Sequence, residues 1–174
     1  IKVTLPPKEG MEVYEYLVID RSGSMQGISS TVIEKVNEHL ANVKKVAAET
    51  GIPTFVSILL FDHEKLQLLN FAPVEEATQL TTTNYVPRGW TALNDAVGHA
   101  IADLQTRLKN RETDVSVTVS IFTDGYENKS VRYPGEENAE LKGLITEISN
   151  MFNWTIVYVG AGMSGDVLQQ ARGI

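Results

Sequence analysis

The stretch EVYEYLVIDRSGSM, residues 12–25, decides the fold of this 174-residue chain. Its first eight residues end in a continuous apolar run, which is typical of a strand buried on both faces at the centre of a sheet. Asp20, Ser22 and Ser24 follow at alternate positions, so an extended loop aims their three side-chain oxygens at one point. We therefore expect a central strand that delivers polar groups at its carboxyl end.

The next elements alternate between helix and strand. Apolar residues recur at steps of three and four after Thr31, which predicts an amphipathic helix, and Thr31 with Glu34 matches a capping box. The apolar positions are Val32, Val36, Leu40, Val43 and Ala47. Residues 55–61 predict a second buried strand, followed by a turn at Asp62 and a short antiparallel edge strand at 66–71.

The second half of the chain repeats this alternation. Apolar residues Leu93, Val97, Ile101, Leu104 and Leu108 share one helical face. A strand at 115–122, a helix at 141–151, a strand at 154–159 and a last helix at 166–172 follow. This order predicts a single α/β domain over residues 1–174: a doubly wound, mostly parallel sheet with one antiparallel edge strand and helices on both faces, a Rossmann-like arrangement.

Composition excludes several classes of function. Lys and Arg number 15 against 22 Asp and Glu, and the net charge of -7 comes without a basic cluster, so nucleic acid is not an expected partner. The absence of cysteine excludes disulfides and thiolate sites and fits the cytoplasm. The longest apolar stretch, near residues 55–61, is far shorter than the ~20 residues that cross a bilayer, so we expect no membrane span.

Asp20 and Asp124 each stand at the predicted carboxyl end of a strand, where parallel sheets bind ligands. We expect Asp20 and Ser22 to face solvent there. Carboxylate and hydroxyl oxygens suit Mg²⁺, Mn²⁺ or Ca²⁺, and the lack of Cys or paired His disfavours zinc and copper. A second interpretation stays open, in which Asp20, Ser22 and Ser24 only cap and turn into the following helix.

Three motifs follow the expected strands: DRSGSM at 20–25, GWTAL at 89–93 and FTDG at 122–125. Together they resemble the metal-ion-dependent adhesion site of a von Willebrand factor A-type domain, in a variant similar to bacterial members of that family. The resemblance spans nearly the whole chain.

This resemblance implies a role for each matching residue. Ser22 and Ser24 would bind the metal directly, Thr91 would join them in the ligand-competent state, and Asp20 and Asp124 would act largely through waters. A partner protein that presents Asp or Glu would complete the coordination of Mg²⁺, or of Mn²⁺ or Ca²⁺. The expected function is thus a non-enzymatic, metal-dependent binding module for adhesion or complex assembly.

The chain departs from the family pattern in two places. Trp90 stands where many relatives carry glycine, and it is either a contact for the partner or a plug beneath its own loop. Relatives usually add a strand and a helix after the element that begins at Asp166, whereas this sequence stops at Ile174. Thr91 also has a second interpretation, as an ordinary N-cap.

Two other functions compete with this one. An Asp at the end of the first strand is where aspartyl-phosphate chemistry starts, which suggests a Mg²⁺-dependent phosphoryl-transfer enzyme. Against it, Ser22 stands where a second acid is needed, and we expect no lysine in the loops at the strand ends. The third alternative is a structural domain without metal.

The glycine pattern at 160–165 resembles a dinucleotide fingerprint but follows a late strand, so we interpret it as a tight turn.

Overall fold

The computed structural model describes residues 10–111, 114–125, 127–151 and 153–160, so the predicted helix at 166–172 and most of the glycine pattern at 160–165 lie outside the described residues. Five strands form one sheet in the order β3-β2-β1-β4-β5. They are β1 Glu12–Asp20, β2 Thr54–Phe61, β3 Lys65–Pro73, β4 Val115–Thr123 and β5 Trp154–Gly160. All neighbouring pairs are parallel except β2 with β3. The mostly parallel α/β sheet with an antiparallel edge and a central β1 is confirmed.

In the described residues, three α-helices accompany the sheet: α1 Ser29–Thr50, α2 Leu93–Leu108 and α3 Ala139–Ser149. The five predicted apolar positions of α1 are all buried. The capping box at Thr31 is wrong, because a short 3₁₀ helix over Gly23–Ile28 runs directly into α1 and Thr31 is already helical. An N-cap residue needs non-helical dihedral angles, which Thr31 does not have. None of the described helices has the length and apolar character needed to cross a bilayer.

The core lies in two clusters separated by the sheet. Tyr14, Tyr16 and Val18 of β1 pack in the cluster that contains residues of α2 and α3. Leu17 and Ile19 pack in the cluster that contains the buried face of α1. Successive side chains of a strand point to opposite faces, so β1 is buried on both, as its apolar run predicts.

The sheet topology places three aspartates at the carboxyl ends of neighbouring parallel strands. β1 pairs with β2 on one side and with β4 on the other, so the chain order reverses at β1. Asp20 is the last residue of β1, Asp62 follows β2, and Asp124 follows β4. Because these strands are parallel, their carboxyl ends lie at the same edge, where ligands bind in open α/β sheets.

Candidate functional site

Asp20 is held by the chain on both of its carboxylate oxygens. Oδ1 accepts the backbone N–H of Ser22 at 2.7 Å, and Oδ2 accepts the hydroxyl of Thr123 at 2.8 Å. The hydroxyl of Tyr85 donates to the carbonyl of Asp20 at 2.6 Å. Asp20 is 0% exposed and Ser22 is 1% exposed, so the expectation that they face solvent is wrong. These hydrogen bonds hold the start of the loop after β1 against the carboxyl end of β4.

The hydroxyls of Ser22 and Ser24 lie next to each other, with 3.1 Å between the two Oγ atoms. Ser22 occupies the N-cap position of the 3₁₀ helix, yet its side chain makes no capping hydrogen bond. The interpretation of Ser22 as a side-chain cap is therefore wrong. The alternate spacing does bring two neutral oxygens together.

Asp124 carries a buried oxygen, Oδ1, that has no hydrogen-bond partner among the described residues. Burial raises the pKa of Asp20, and the negative charge of Asp124 raises it further, against the hydrogen bonds from Ser22 and Thr123 that lower it. The charge of Asp124 therefore opposes the ionisation of Asp20. A buried acceptor without a partner is costly, typically about 1–3 kcal/mol.

Thr91 is held through its main chain. Its N–H donates to Oδ1 of Asn128 at 2.8 Å. Its carbonyl accepts the backbone N–H groups of Asn128 at 3.0 Å and Lys129 at 2.9 Å. Thr91 is 3% exposed, and the N-cap of α2 is Ala92, without a side-chain capping bond. The interpretation of Thr91 as an ordinary N-cap is wrong.

Backbone hydrogen bonds tie the loop before α2 to the loop after β1. The N–H of Gly23 donates to the carbonyl of Gly89 at 3.0 Å, and the N–H of Arg88 donates to the carbonyl of Arg21 at 2.7 Å. Gly89 has a φ of 68°, and a Cβ there would lie 2.4 Å from Nδ1 of His63. Only glycine fits this crossing without displacing the imidazole. The loops that carry Ser22, Thr91 and Asp124 are thus in contact along one edge.

Trp90 is 61% exposed, so the interpretation of this side chain as a plug is wrong. The Nζ atom of Lys129 lies 5.9 Å from the centre of its ring, a distance at which a cation is attracted to an indole face. Lys129 stands in the loop after β4, which also overturns the expectation that these loops lack a lysine. Val131 nearby in sequence is 86% exposed.

Asp62 has a role that the sequence did not reveal. It forms the predicted turn, because its Oδ1 accepts the N–H of Glu64 at 2.7 Å. Its Oδ2 also lies 2.9 Å from Nε of Arg88 and 3.0 Å from Nε of Arg21. Ligand atoms of Asp62, His63 and Glu64 lie within 4.8 Å of one another. Because two guanidinium groups already compensate Asp62, we do not assign a metal to this cluster.

A polar segment after β4 was also missed. Residues 127–135, which we name the strap, lie against the start of α2 and include Asn128, the residue that binds Thr91. Loops have no hydrophobic periodicity, so the sequence pattern does not predict such a contact. The only signal is the polar run ENKS at 127–130.

No family model and no curated protein match this sequence. Solved structures do resemble it. The PilB minor pilin from Streptococcus sanguinis is 21% identical with a TM-score of 0.50, covering 68% of this chain and 31% of the pilin. The pilus adhesin SpaC from Lactobacillus rhamnosus GG, in its open conformation, is 16% identical with a TM-score of 0.54, covering 69% of this chain and 15% of the adhesin.

An aerotolerance-related membrane protein from Bacteroides fragilis is 15% identical with a TM-score of 0.54, covering 88% of this chain and 69% of that protein. These likenesses support a von Willebrand A-like fold, and at such identities they speak to the fold alone. The matched region spans less than a third of the pilin and of the adhesin.

Proposed function

We propose that this chain is a divalent-metal-dependent protein-binding module that works in adhesion or complex assembly and not as an enzyme. In this proposal the metal is Mg²⁺, with Mn²⁺ or Ca²⁺ as substitutes. The residues that hold it are Asp20, Ser22, Ser24, Thr91 and Asp124. An Asp or Glu of the partner protein completes the coordination.

The observation that carries the proposal is the buried Oδ1 of Asp124, which has no hydrogen-bond partner among the described residues. A cation at this edge gives that oxygen a partner and offsets the repulsion between Asp124 and Asp20. The adjacent hydroxyls of Ser22 and Ser24 add neutral oxygens, 3.1 Å apart. This set of hard donors fits Mg²⁺, Mn²⁺ and Ca²⁺.

The hydrogen bonds that Asp20 already accepts support a role of the proposed site in recognition. Because both of its oxygens accept hydrogen bonds from the chain, Asp20 orients the loop that carries Ser22 and acts on the metal from a distance. A bound cation with few direct charged ligands stays electron-poor and attracts an incoming carboxylate.

The surface beside the site supports a protein partner. Trp90, which directly precedes the proposed ligand Thr91, is 61% exposed, and aromatic side chains of this kind anchor partners. Lys129, whose ammonium group lies near the Trp90 ring, adds a positive charge that favours an acidic segment. The likeness to the pilus adhesin SpaC is consistent with a role in adhesion.

The geometry argues against phosphoryl transfer. A carboxylate nucleophile needs an oxygen that reaches the phosphorus atom, whereas Asp20 is fully buried with both oxygens engaged. We therefore expect no turnover of a generic phosphate ester such as p-nitrophenyl phosphate in the presence of Mg²⁺. Turnover that disappears in an Asp20→Asn variant would reverse this assignment.

Calorimetric titration tests the metal site. We expect the parent protein to bind Mg²⁺, Mn²⁺ or Ca²⁺, and Asp124→Ala to lose that binding because the unpaired oxygen is gone. Glu75→Ala is the matched control, since it removes one exposed carboxylate from a short helix away from the site. The proposal fails if the parent binds none of the three ions, or if Asp124→Ala binds them as tightly as Glu75→Ala does.

Peptide display tests the partner. Peptides selected on the immobilised protein in Mg²⁺ and released by chelator should be enriched in Asp or Glu. Replacing that acid with Asn or Gln should abolish binding, because an amide does not replace the charge of the carboxylate at the cation. Selected peptides that lack an acid, or that stay bound in chelator, would contradict the proposed mode of capture.

A further inference from the structure

We propose that Asn128 is a positioning residue that places Thr91 in the metal site. This inference rests on the proposed function, because it takes Thr91 to be a ligand. It assigns the strap a task in metal binding in addition to its place in the fold.

The strap forms hydrogen bonds with both the backbone N–H and the carbonyl of Thr91. The side chain of Asn128 accepts the N–H of Thr91 at 2.8 Å. The backbone N–H groups of Asn128 and Lys129 donate to the carbonyl of Thr91 at 3.0 and 2.9 Å. With both neighbouring peptide groups held in this way, the Cα of Thr91 has little freedom to move relative to the strap.

The strap is itself anchored to α2 by Glu127, which is 9% exposed. Its Oε2 accepts the backbone N–H of Asn94 at 2.8 Å, and its Oε1 accepts that of Ser130 at 2.7 Å. The hydroxyl of Ser130 accepts the N–H of Asp95 at 3.0 Å. Glu127 and Ser130 therefore satisfy two N–H groups of the first turn of α2, which helices otherwise leave without partners.

A second set of contacts anchors the far end of the strap. The Asp95 carboxylate accepts the backbone N–H of Val131 at 2.7 Å and that of Tyr133 at 2.8 Å. The Tyr133 ring fills the space above Gly98, where an added Cβ would lie 2.2 Å from the ring. Asn94 donates to the carbonyls of Tyr133 and Gly135 at 3.0 and 2.7 Å. The strap is thus a firm support for Asn128.

The position of Asn128 links the two loops that matter. It stands four residues after Asp124 in the sequence, and its side chain accepts the N–H of Thr91, so Asn128 connects the loop after β4 to the loop that carries Thr91. Groups that orient metal ligands typically change metal affinity 10- to 100-fold when they are removed. We expect Asn128 to belong to this class.

Metal titrations of four variants test the inference. Asn128→Ala should weaken Mg²⁺ binding about tenfold by calorimetry, and Thr91→Ala should weaken it at least as much. Asn128→Asp should bind at least as tightly as the parent, because a carboxylate also accepts the N–H of Thr91. In the double variant Thr91→Ala/Asn128→Ala, the loss of Mg²⁺ affinity should be little larger than in Thr91→Ala alone, since Asn128 acts through Thr91.

Asn37→Ala is the control for a merely structural effect. Oδ1 of Asn37 on α1 accepts the backbone N–H of Leu80 at 2.8 Å, so this variant loses the same kind of hydrogen bond without touching Thr91 or the strap. It should keep the parent affinity for Mg²⁺ even where its melting temperature falls as far as that of Asn128→Ala.

Hydrogen exchange in metal-free protein tests the positioning directly. The amide of Thr91 should exchange at least tenfold faster in Asn128→Ala than in the parent or in Asn128→Asp, because it loses its acceptor. Amides of β1 should be unchanged, which shows that the sheet is intact.

Each failure has a separate signature. If the parent binds no ion, or Thr91→Ala binds like the parent, the proposed metal role of Thr91 is wrong and the inference falls with it. If Thr91→Ala loses affinity while Asn128→Ala keeps it, the proposed function stands and the positioning role is wrong. Fully additive losses in the double variant would also overturn it, because Asn128 would then act by another route.

Discussion

The two aspartates on either side of Asp20 occupy equivalent places and meet opposite surroundings. Asp62 follows β2 and Asp124 follows β4, both parallel neighbours of β1. Asp62 is fully buried and accepts a hydrogen bond from Nε of Arg88; Nε of Arg21 lies 3.0 Å from it and adds a charge, without forming a hydrogen bond among the described residues. Asp124 has a buried oxygen without a hydrogen-bond partner among the described residues.

This difference teaches how one residue type at one kind of position serves two purposes. The chain itself supplies the cations for Asp62, and this cluster joins the β2–β3 hairpin to the loops that carry Arg21 and Arg88. On the other side of β1, Oδ1 of Asp124 has no hydrogen-bond partner among the described residues, and the charge of Asp124 raises the pKa of Asp20. We therefore interpret the Asp62 side as the frame and propose the Asp124 side as the site that takes a cation from solution.

The strongest test of this difference replaces each aspartate with alanine and measures the free energy of unfolding in the presence of a chelator. Asp62→Ala should lower the free energy of unfolding by about 3 kcal/mol, because it leaves a largely buried Arg21 charge uncompensated. Asp124→Ala should not lower it and should raise it by up to about 1–3 kcal/mol, since it removes a buried acceptor that has no partner among the described residues. Urea denaturation measures both. Equal losses would show that Asp124 has a structural partner.

The Asp124 side extends to Trp90, whose truncation should weaken partner binding by about 2 kcal/mol. The measurement uses an acidic peptide selected by display in Mg²⁺. Affinity for Mg²⁺ itself should stay near the parent value, because the indole supplies no ligand oxygen. Val46→Ala, at an exposed apolar residue of α1, is the matched control. Loss of stability in Trp90→Ala with unchanged peptide affinity would rule out a contact role.

Divalent ions should also distinguish the Asp124 side of β1 from the Asp62 side, with a smaller effect. At a free Mg²⁺ concentration ten times the dissociation constant, mass action should stabilise the parent by about 1.4 kcal/mol. Asp124→Ala should lose this gain, whereas Arg88→Ala should keep it. Thermal unfolding with and without chelator measures the shift. A melting temperature indifferent to Mg²⁺, Mn²⁺ and Ca²⁺ would favour the structural alternative without metal.

The smallest effect should come from Arg88, whose side chain is 49% exposed. Arg88→Ala should lower the free energy of unfolding only slightly in urea denaturation, because water replaces much of an exposed ion pair. Arg21, whose side chain is 11% exposed, should matter more in the same assay. If Arg88→Ala costs more than Arg21→Ala, then Arg88 is the main compensating charge for Asp62.

Periodicity explains which elements were predictable. The apolar run before Asp20 and the three-and-four spacing in α1 report burial directly, and both elements formed where expected. The capping box at Thr31 failed because the preceding 3₁₀ helix, which has no periodic signal, starts the helix two residues earlier at Ser29. The turn at Asp62 was predictable because it depends on residues 62–64 alone.

The candidate site was predictable only as chemistry. Its oxygen donors are visible as residue types after three strands, and the contact between Ser22 and Ser24 follows from their alternate spacing. The contact of Asn128 with Thr91 was not visible, because the two residues are 37 positions apart in sequence. The burial of Asp20 was not visible either, since it depends on a hydrogen bond from Thr123.

Residue order alone determined the alternation of strands and helices, and it placed an aspartate at the end of β1 and just beyond β2 and β4. Only the tertiary structure decided which of these acids receives a cation from the chain. Electrostatic compensation depends on distances of a few ångströms between groups far apart in sequence, as between Asp62 and Arg88, 26 residues apart. Local periodicity reports which face of an element is buried and carries no information about such distances.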